Sequence, residues 1–282
     1  MKARFVLAGL AAASAAVQEL AARWHYGRTR GPDEFRHETD RAAWTPAWHE
    51  AFVPAEWTAL RLSRVYRGDG VPRGNGAPVV LVHGFLTRGD YLGELRGWLE
   101  RIGYRARIAP IGWNTDCPDV LTNRLLEVVG ATRNEMGRPV HLVGHSLGGV
   151  LARAAAARGR DAVASVATLS SPFRGISVHP ALNLAAGIVR DRIQRERGDS
   201  VRPECLTFAC GCPTVRAVDR PLPADLPQLA IVTRYDGLVD WRYCLDEATT
   251  RVVHVAASHI GLVFNPAAYE ALAAHLRTFT DR

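Results

Sequence analysis

Ser146 lies in Gly144-His145-Ser146-Leu147-Gly148, between an apolar run at 140–143 and an alanine-rich helical pattern. Glycines at the flanks relieve the crowding of so tight a turn, and the residue at its apex presents its side chain beyond the strand ends. A serine hydroxyl is a weak nucleophile alone. It needs a base to take its proton, a group to orient that base, and donors for the oxyanion that forms on attack. His259, on the loop after the apolar run 252–256, is the expected base. His254 lies inside that run and is expected to point into the sheet packing, while His275 is expected on the surface of the last helix. Asp236 follows the run 229–232 and neighbours Gly237, which permits a sharp turn. It is the expected acid, with Asp240 as runner-up. The backbone N–H of Leu147, at a helix start, and that of Phe85, in the loop after the first apolar strand, are the expected oxyanion donors. His83 sits in that same loop and is expected to organise it; His145 is not expected to act as a base.

The elements that must position these residues alternate. Runs at 78–82, 104–111, 140–143, 163–169, 229–233 and 251–256 read as short strands, and 91–102, 120–129, 150–158 and 267–279 as amphipathic helices. That alternation predicts a mostly parallel central sheet flanked by helices. In such sheets ligands bind beyond the carboxyl ends of the strands, where His83, Ser146, Asp236 and His259 all fall. A turn cluster at 68–76 marks the expected start of the main domain, 76–282, with 18–75 as a helical N-terminal extension. Residues 174–226 separate two strands by far more than a loop. They are expected to form a cap or lid insertion, with a helical stripe over 180–194. Leu182 and Val189 of that stripe, with Leu86 of the oxyanion loop, are the candidate substrate contacts.

The segments VVLVHGFL (79–86), LVGHSLGG (142–149), TLSSPFRG (168–175), RYDGLVDW (234–241) and ASHIGLVFNP (257–266) resemble successive signatures of the α/β-hydrolase superfamily, in its bacterial lipase and esterase branch. The resemblance spans about residues 76–280. It implies the α/β-hydrolase fold and a serine carboxylic-ester hydrolase acting on apolar acyl esters through an acyl-enzyme on Ser146. An acyltransferase or thioesterase with the same Ser146, Asp236 and His259 is the alternative, since the acyl-enzyme is shared. A small-molecule or lipid ester is the implied partner, and no cofactor is called for. In similar bacterial lipases a disulfide often steadies the loop between acid and base, which implies a bridge from Cys244 to one of Cys205, Cys210 or Cys212. Some also bind calcium there, but Asp240 and Asp246 are too little to predict a metal.

Bulk properties agree with one enzyme domain. The chain has 282 residues, 48% hydrophobic, enough for one large core. Its formal charge of +7 is carried by scattered arginines, with Lys2 the single lysine, and no motif supports nucleic-acid binding. Lys2 and Arg4 precede a short apolar run ending in small residues, so 1–17 is expected to be a signal peptide or membrane tether. Export or association with a membrane or lipid interface follows from that reading. An amphipathic helix continuing through Leu20 and Trp24 competes with it. Five cysteines leave at least one unpaired within a monomer.

Overall fold

The computed structural model describes residues 46–175, 177–198, 211–246 and 250–277. Its centre is a six-stranded, all-parallel sheet in the order β2-β1-β3-β4-β5-β6. The strands are β1 Pro78–Val82, β2 Arg105–Ile108, β3 Val140–His145, β4 Val163–Leu169, β5 Gln228–Val232 and β6 Arg251–His254. The four inner strands are wholly buried, as their unbroken apolar runs require when helices cover both faces. The two edge strands are less buried: β2 reads RARI, with polar and apolar residues alternating, and β6 reads RVVH, with exposed ends.

The pleat of β1 divides the core in two. Val79 and Leu81 face a layer with Leu60, Trp98, Leu99, Tyr269 and Leu272. Val80 and Val82 face Leu121, Leu125, Leu142 and Leu151. In chain order the helices are α1 Val53–Leu62, α2 Arg64–Arg67, α3 Gly93–Arg101, α4 Pro118–Met136, α5 Leu147–Arg158, α6 Pro180–Arg197, α7 Pro213–Val218 and α8 Pro266–Arg277. Chemistry at their ends matches their bounds: α4 opens on Pro118 with Asp119 in its first turn, and closes on Gly137 at φ 65°.

Residues expected to form a separate N-terminal extension belong to the first core layer. Leu60 of α1 and Val65 of α2 are buried there. Glu94 of α3 accepts hydrogen bonds from Trp57 Nε1 at 3.1 Å and Arg61 Nη1 at 2.8 Å, and also bonds the Tyr66 hydroxyl. The Trp98 indole donates to the Val65 carbonyl at 2.8 Å. The expected signal peptide or tether at 1–17 and residues 18–45 of the expected extension lie outside the described residues.

The long connection from β4 to β5 holds α6 and α7. α7 does not behave as a cap: Val215 packs with Cys117, and Val218 with Val150, Ala154 and Phe173 on the body of the domain. α6 lies over the loops that follow β1 and β2, its Arg192 donating to the Thr115 carbonyl at 2.8 Å. Among the described residues no helix is long and apolar enough to cross a membrane.

Candidate active site

Three glycines make the turn at Ser146. A Cβ on Gly144 would lie 2.4 Å from the Gly149 backbone, one on Gly148 would lie 2.1 Å from the Val82 carbonyl oxygen, and one on Gly149 would lie 2.0 Å from Ser171 Oγ. Strand β3, helix α5 and the end of β1 therefore meet at backbone distance. Ser146 itself sits at φ 54°, ψ −129°, a conformation rare for any residue with a side chain. Such strain persists only where the surroundings enforce it, and it clusters at functional sites.

Asp236 and His259 come together at the ends of β5 and β6. His259 Nδ1 donates to Asp236 Oδ2 at 2.8 Å, both residues being buried. A carboxylate oxygen only accepts, so this contact assigns the proton to Nδ1 and leaves Nε2 as the acceptor. The other Asp236 oxygen accepts the backbone N–H groups of Leu238 at 2.9 Å and Val239 at 2.8 Å, fixing the carboxylate plane. Burial alone would lower the His259 pKa, but the Asp236 charge and hydrogen bond, with Glu50 beyond, raise it above its ordinary value. The Thr233 hydroxyl donates to the Ala257 carbonyl at 2.6 Å and ties the two loops.

Asp240 has other work. Also buried, it caps the turn Trp241–Cys244 through Arg242 N at 3.1 Å and pairs with Arg242 Nη2 at 2.7 Å. The rival histidines are elsewhere. His254 is exposed at the sheet edge against Trp241, not inside the packing as expected, because β6 has no outer neighbour among the described residues. His275 is buried rather than on the surface, and burial pushes its pKa down to about 4.

The loop after β1 stands opposite the serine. A Cβ on Gly84 would lie 3.2 Å from Ser146 Cβ. Neither Phe85 N–H nor Leu147 N–H donates a hydrogen bond among the described residues. Asn114 Nδ2 donates to the His83 carbonyl at 2.6 Å, and Leu86 N–H to the Asn114 carbonyl at 3.3 Å. His83 is buried and contacts Thr87 Oγ1 at 3.1 Å, within the loop itself. Ser146 Oγ makes no hydrogen bond among the described residues; such contacts commonly close only when substrate is bound.

His145 joins the two halves. Tyr91 OH accepts from Gly84 N at 2.9 Å and lies 2.8 Å from His145 Nδ1, while His145 Nε2 reaches the His259 carbonyl at 3.1 Å. One tautomer satisfies all three: Nε2–H donates to the carbonyl and Nδ1 accepts from the tyrosine. Burial, and then the neighbouring His259, push the His145 pKa down to about 3, so the ring is a neutral strut. Sequence reasoning missed Tyr91 and Asn114, since neither lies in a motif.

A cavity of about 440 Å³ opens beside Leu86, lined also by Trp113, Thr115, Asp116, Val189 and Arg192. Leu86 and Val189 are thus on its wall, whereas Leu182 lies about two turns earlier in α6 and is not part of it. Asp116 is held by Arg197 at 2.7 Å and Arg124 at 3.2 Å, so much of its charge is already compensated. Cys244 is a buried free thiol packed with Ala230, Val232 and Val239. The expected bridge to Cys212 is not formed: Cys212 caps α7, its Sγ accepting from Val215 N at 3.5 Å. Cys205 and Cys210 lie outside the described residues. Among the described residues no group of three or more His, Cys, Asp or Glu could hold a metal ion.

Residues 136–204 match the family model described as alpha/beta hydrolase fold. Among solved structures, a soluble variant of monoglyceride lipase from Saccharomyces cerevisiae, bound to a substrate analogue, is 16% identical. The match covers 74% of this chain and 90% of that one at a TM-score of 0.52. A structure reported for the metagenome-derived lipolytic enzymes LipS and LipT is 16% identical over 75% of this chain and 96% of its own, at 0.51. DcsB with its substrate analogue is 14% identical, covering 75% and 93%, at 0.50.

Proposed function

Because the chain has the α/β-hydrolase fold, we propose that it is a serine carboxylic-ester hydrolase acting on apolar acyl esters. The observation that carries the reading is the buried Asp236–His259 hydrogen bond of 2.8 Å beside a serine held at φ 54°. Ser146 Oγ attacks the ester carbonyl carbon as His259 Nε2 takes its proton. Asp236 keeps the imidazole in the accepting tautomer and stabilises the imidazolium. The carbonyl oxygen becomes an anion that the Phe85 and Leu147 N–H groups receive, each such donor contributing about 2.7–4 kcal/mol in comparable sites. Collapse breaks the C–O bond, and His259 returns the proton to the departing alcohol. Water then repeats the sequence on the acyl-enzyme, releasing the acid and restoring Ser146.

The cavity offers one apolar wall for an acyl group: Leu86 follows the proposed oxyanion donor directly and stands with Trp113 and Val189, while Thr115, Asp116 and Arg192 make the rest of the lining polar. About 440 Å³ falls within the range of small-molecule sites. The monoglyceride lipase and lipolytic enzymes of the same fold accord with such a substrate.

The test is hydrolysis of p-nitrophenyl esters across acyl lengths, with labelling by a fluorophosphonate. Wild-type protein should turn over and take up one label, and Ser146→Ala should do neither while melting normally. Turnover retained in Ser146→Ala would remove the serine from the mechanism. Added alcohols and thiols, scored for acyl transfer products, separate hydrolysis from the transferase reading.

A further inference from the structure

The loop that carries His259 begins a short helical turn, Gly261–Phe264, and four consecutive backbone N–H groups enter it. Such groups have no partners within a turn of their own. Here every one is answered. Ser258 N donates to Glu56 Oε1 at 2.7 Å, His259 N to Glu50 Oε1 at 2.8 Å, Ile260 N to Glu50 Oε2 at 2.9 Å, and Gly261 N to Ser258 Oγ at 3.0 Å. The Ser258 hydroxyl in turn donates to Glu56 Oε2 at 2.7 Å. Both carboxylates are thus used at both oxygens, and both come from residues 46–62, some two hundred positions earlier in the chain.

From this arrangement we infer that Glu50 and Glu56 are positioning residues that clamp the His259 backbone and so set the imidazole against Ser146. The inference rests on the reading of Ser146, His259 and Asp236 given above. The fit is built into the backbone. A Cβ on Gly261 would lie 1.6 Å from Glu56 Oε2, so that position must be bare for the carboxylate to reach Ser258. A Cβ on Gly237, next to the acid, would lie 3.2 Å from Glu50 Oε1 and 3.1 Å from Ala47 Cα. The segment therefore abuts the acid loop as well as the base loop. Anions are favoured at the N-terminal end of a helical turn, where unsatisfied N–H groups leave partial positive charge. Leu60 in the core and the bonds to Glu94 hold the segment in place.

A clamp differs from a mere stabiliser in what its loss moves. In Glu50→Ala/Glu56→Ala the loop keeps its sequence but loses the acceptors for three of its N–H groups, and the ring is free to drift. A misplacement of about 1 Å at a reacting group can cost about 100-fold in rate. The double variant should lose about 100-fold in kcat, with KM within about twofold. Leu125→Ala, a cavity in the other core layer and away from the clamp segment, should lower the melting temperature at least as far but keep kcat at low temperature. Glu50→Gln, which retains bulk and one acceptor oxygen, should recover part of the loss. Two-dimensional NMR provides a reading independent of turnover. The low-field Nδ1 proton bonded to Asp236 should broaden in the double variant and persist in Leu125→Ala.

Equal kcat in the double variant and Leu125→Ala, with the low-field proton intact in both, would overturn the clamp. Wild-type protein that neither hydrolyses esters nor takes up fluorophosphonate would instead overturn the proposed reaction, and the NMR comparison would still judge the clamp.

Discussion

Asp236→Asn and Asp240→Asn are the same chemical change at two buried carboxylates four positions apart, and the structure assigns them opposite effects. In Asp236→Asn the amide oxygen can keep the Leu238 and Val239 N–H groups, at 2.9 and 2.8 Å in the wild type. Its NH₂ then faces His259 Nδ1 where Oδ2 now accepts. Two donors cannot share that contact, so the imidazole takes the other tautomer, with the proton on Nε2. That nitrogen can no longer receive the serine proton. The same change in a comparable triad lowers kcat about 10⁴-fold, or ~5.4 kcal/mol of barrier at about 1.36 kcal/mol per factor of ten. Folding should change little, because both backbone contacts survive. Asp240→Asn weakens the charge-assisted pair with Arg242 at 2.7 Å and should cost about 1–3 kcal/mol of stability. Its kcat, measured well below the melting temperature, should stay within a few-fold of wild type. Initial rates on a p-nitrophenyl ester, beside a denaturant titration of each variant, read both quantities. A folded Asp240→Asn protein that is 10⁴-fold slower, beside an active Asp236→Asn, would refute the reasoning.

Further outcomes follow from the same geometry. The kcat/KM profile should rise with pH through an apparent pKa above the ordinary histidine value, since His259 must be neutral to act and its pKa is raised; a limb centred below pH 6 would contradict this. His141, His145 and His275 are buried with pKa values lowered to about 3, about 3 and about 4, while the unfolded chain takes up protons near pH 6.5. Stability from these groups is therefore complete above about pH 6.5 and is lost as pH falls, by up to about 1.4 kcal/mol per unit for each histidine; urea midpoints at pH 8, 6 and 5 check it. Gly148→Ala should unfold the protein or cost more than about 3 kcal/mol, because its Cβ meets a backbone oxygen. Gly130→Ala, in open space within α4, should add about 0.5–1 kcal/mol by thermal melting. Val189→Trp should fill part of the cavity and move the acyl-length optimum to shorter chains.

What was legible in the sequence was whatever is written in contiguous residues. Strand β4 lies at 163–169 as its apolar run implied, and the glycines around Ser146 announced a turn that their contacts explain. Asp236 was preferred to Asp240 because it ends a strand, and it is Asp236 that meets His259 in space. The failures concern burial from beyond the motif. His275 is polar and so reads as a surface residue, yet it shares the buried face of its helix with Ala268 and Leu272, and its neighbour His141 is buried with it. His254 sits on β6, whose edge position follows from strand order and not from local pattern. Cys244 seemed available for a bridge and is sealed in a hydrophobic cluster. Glu50 and Glu56 were invisible for the plainest reason. Two glutamates in an amphipathic stretch look like solvated charge until the loop they face is placed against them.

The same two side chains tie an early segment of the chain to a late one. Their hydrogen bonds to residues 258–260 span separations of 202 to 210 positions. During synthesis the sheet centre from β1 to β4, with the serine elbow already turned, can collapse while the histidine loop is still being made. The early segment must then wait, docked through Leu60 and Glu94, for its late partner to arrive. Loop-closure entropy grows only slowly with length, so the wait weighs on folding rate far more than on final stability. On the proposed reaction, the nascent chain would acquire Ser146 long before His259, and hydrolytic competence would come on only when the two distant segments have met.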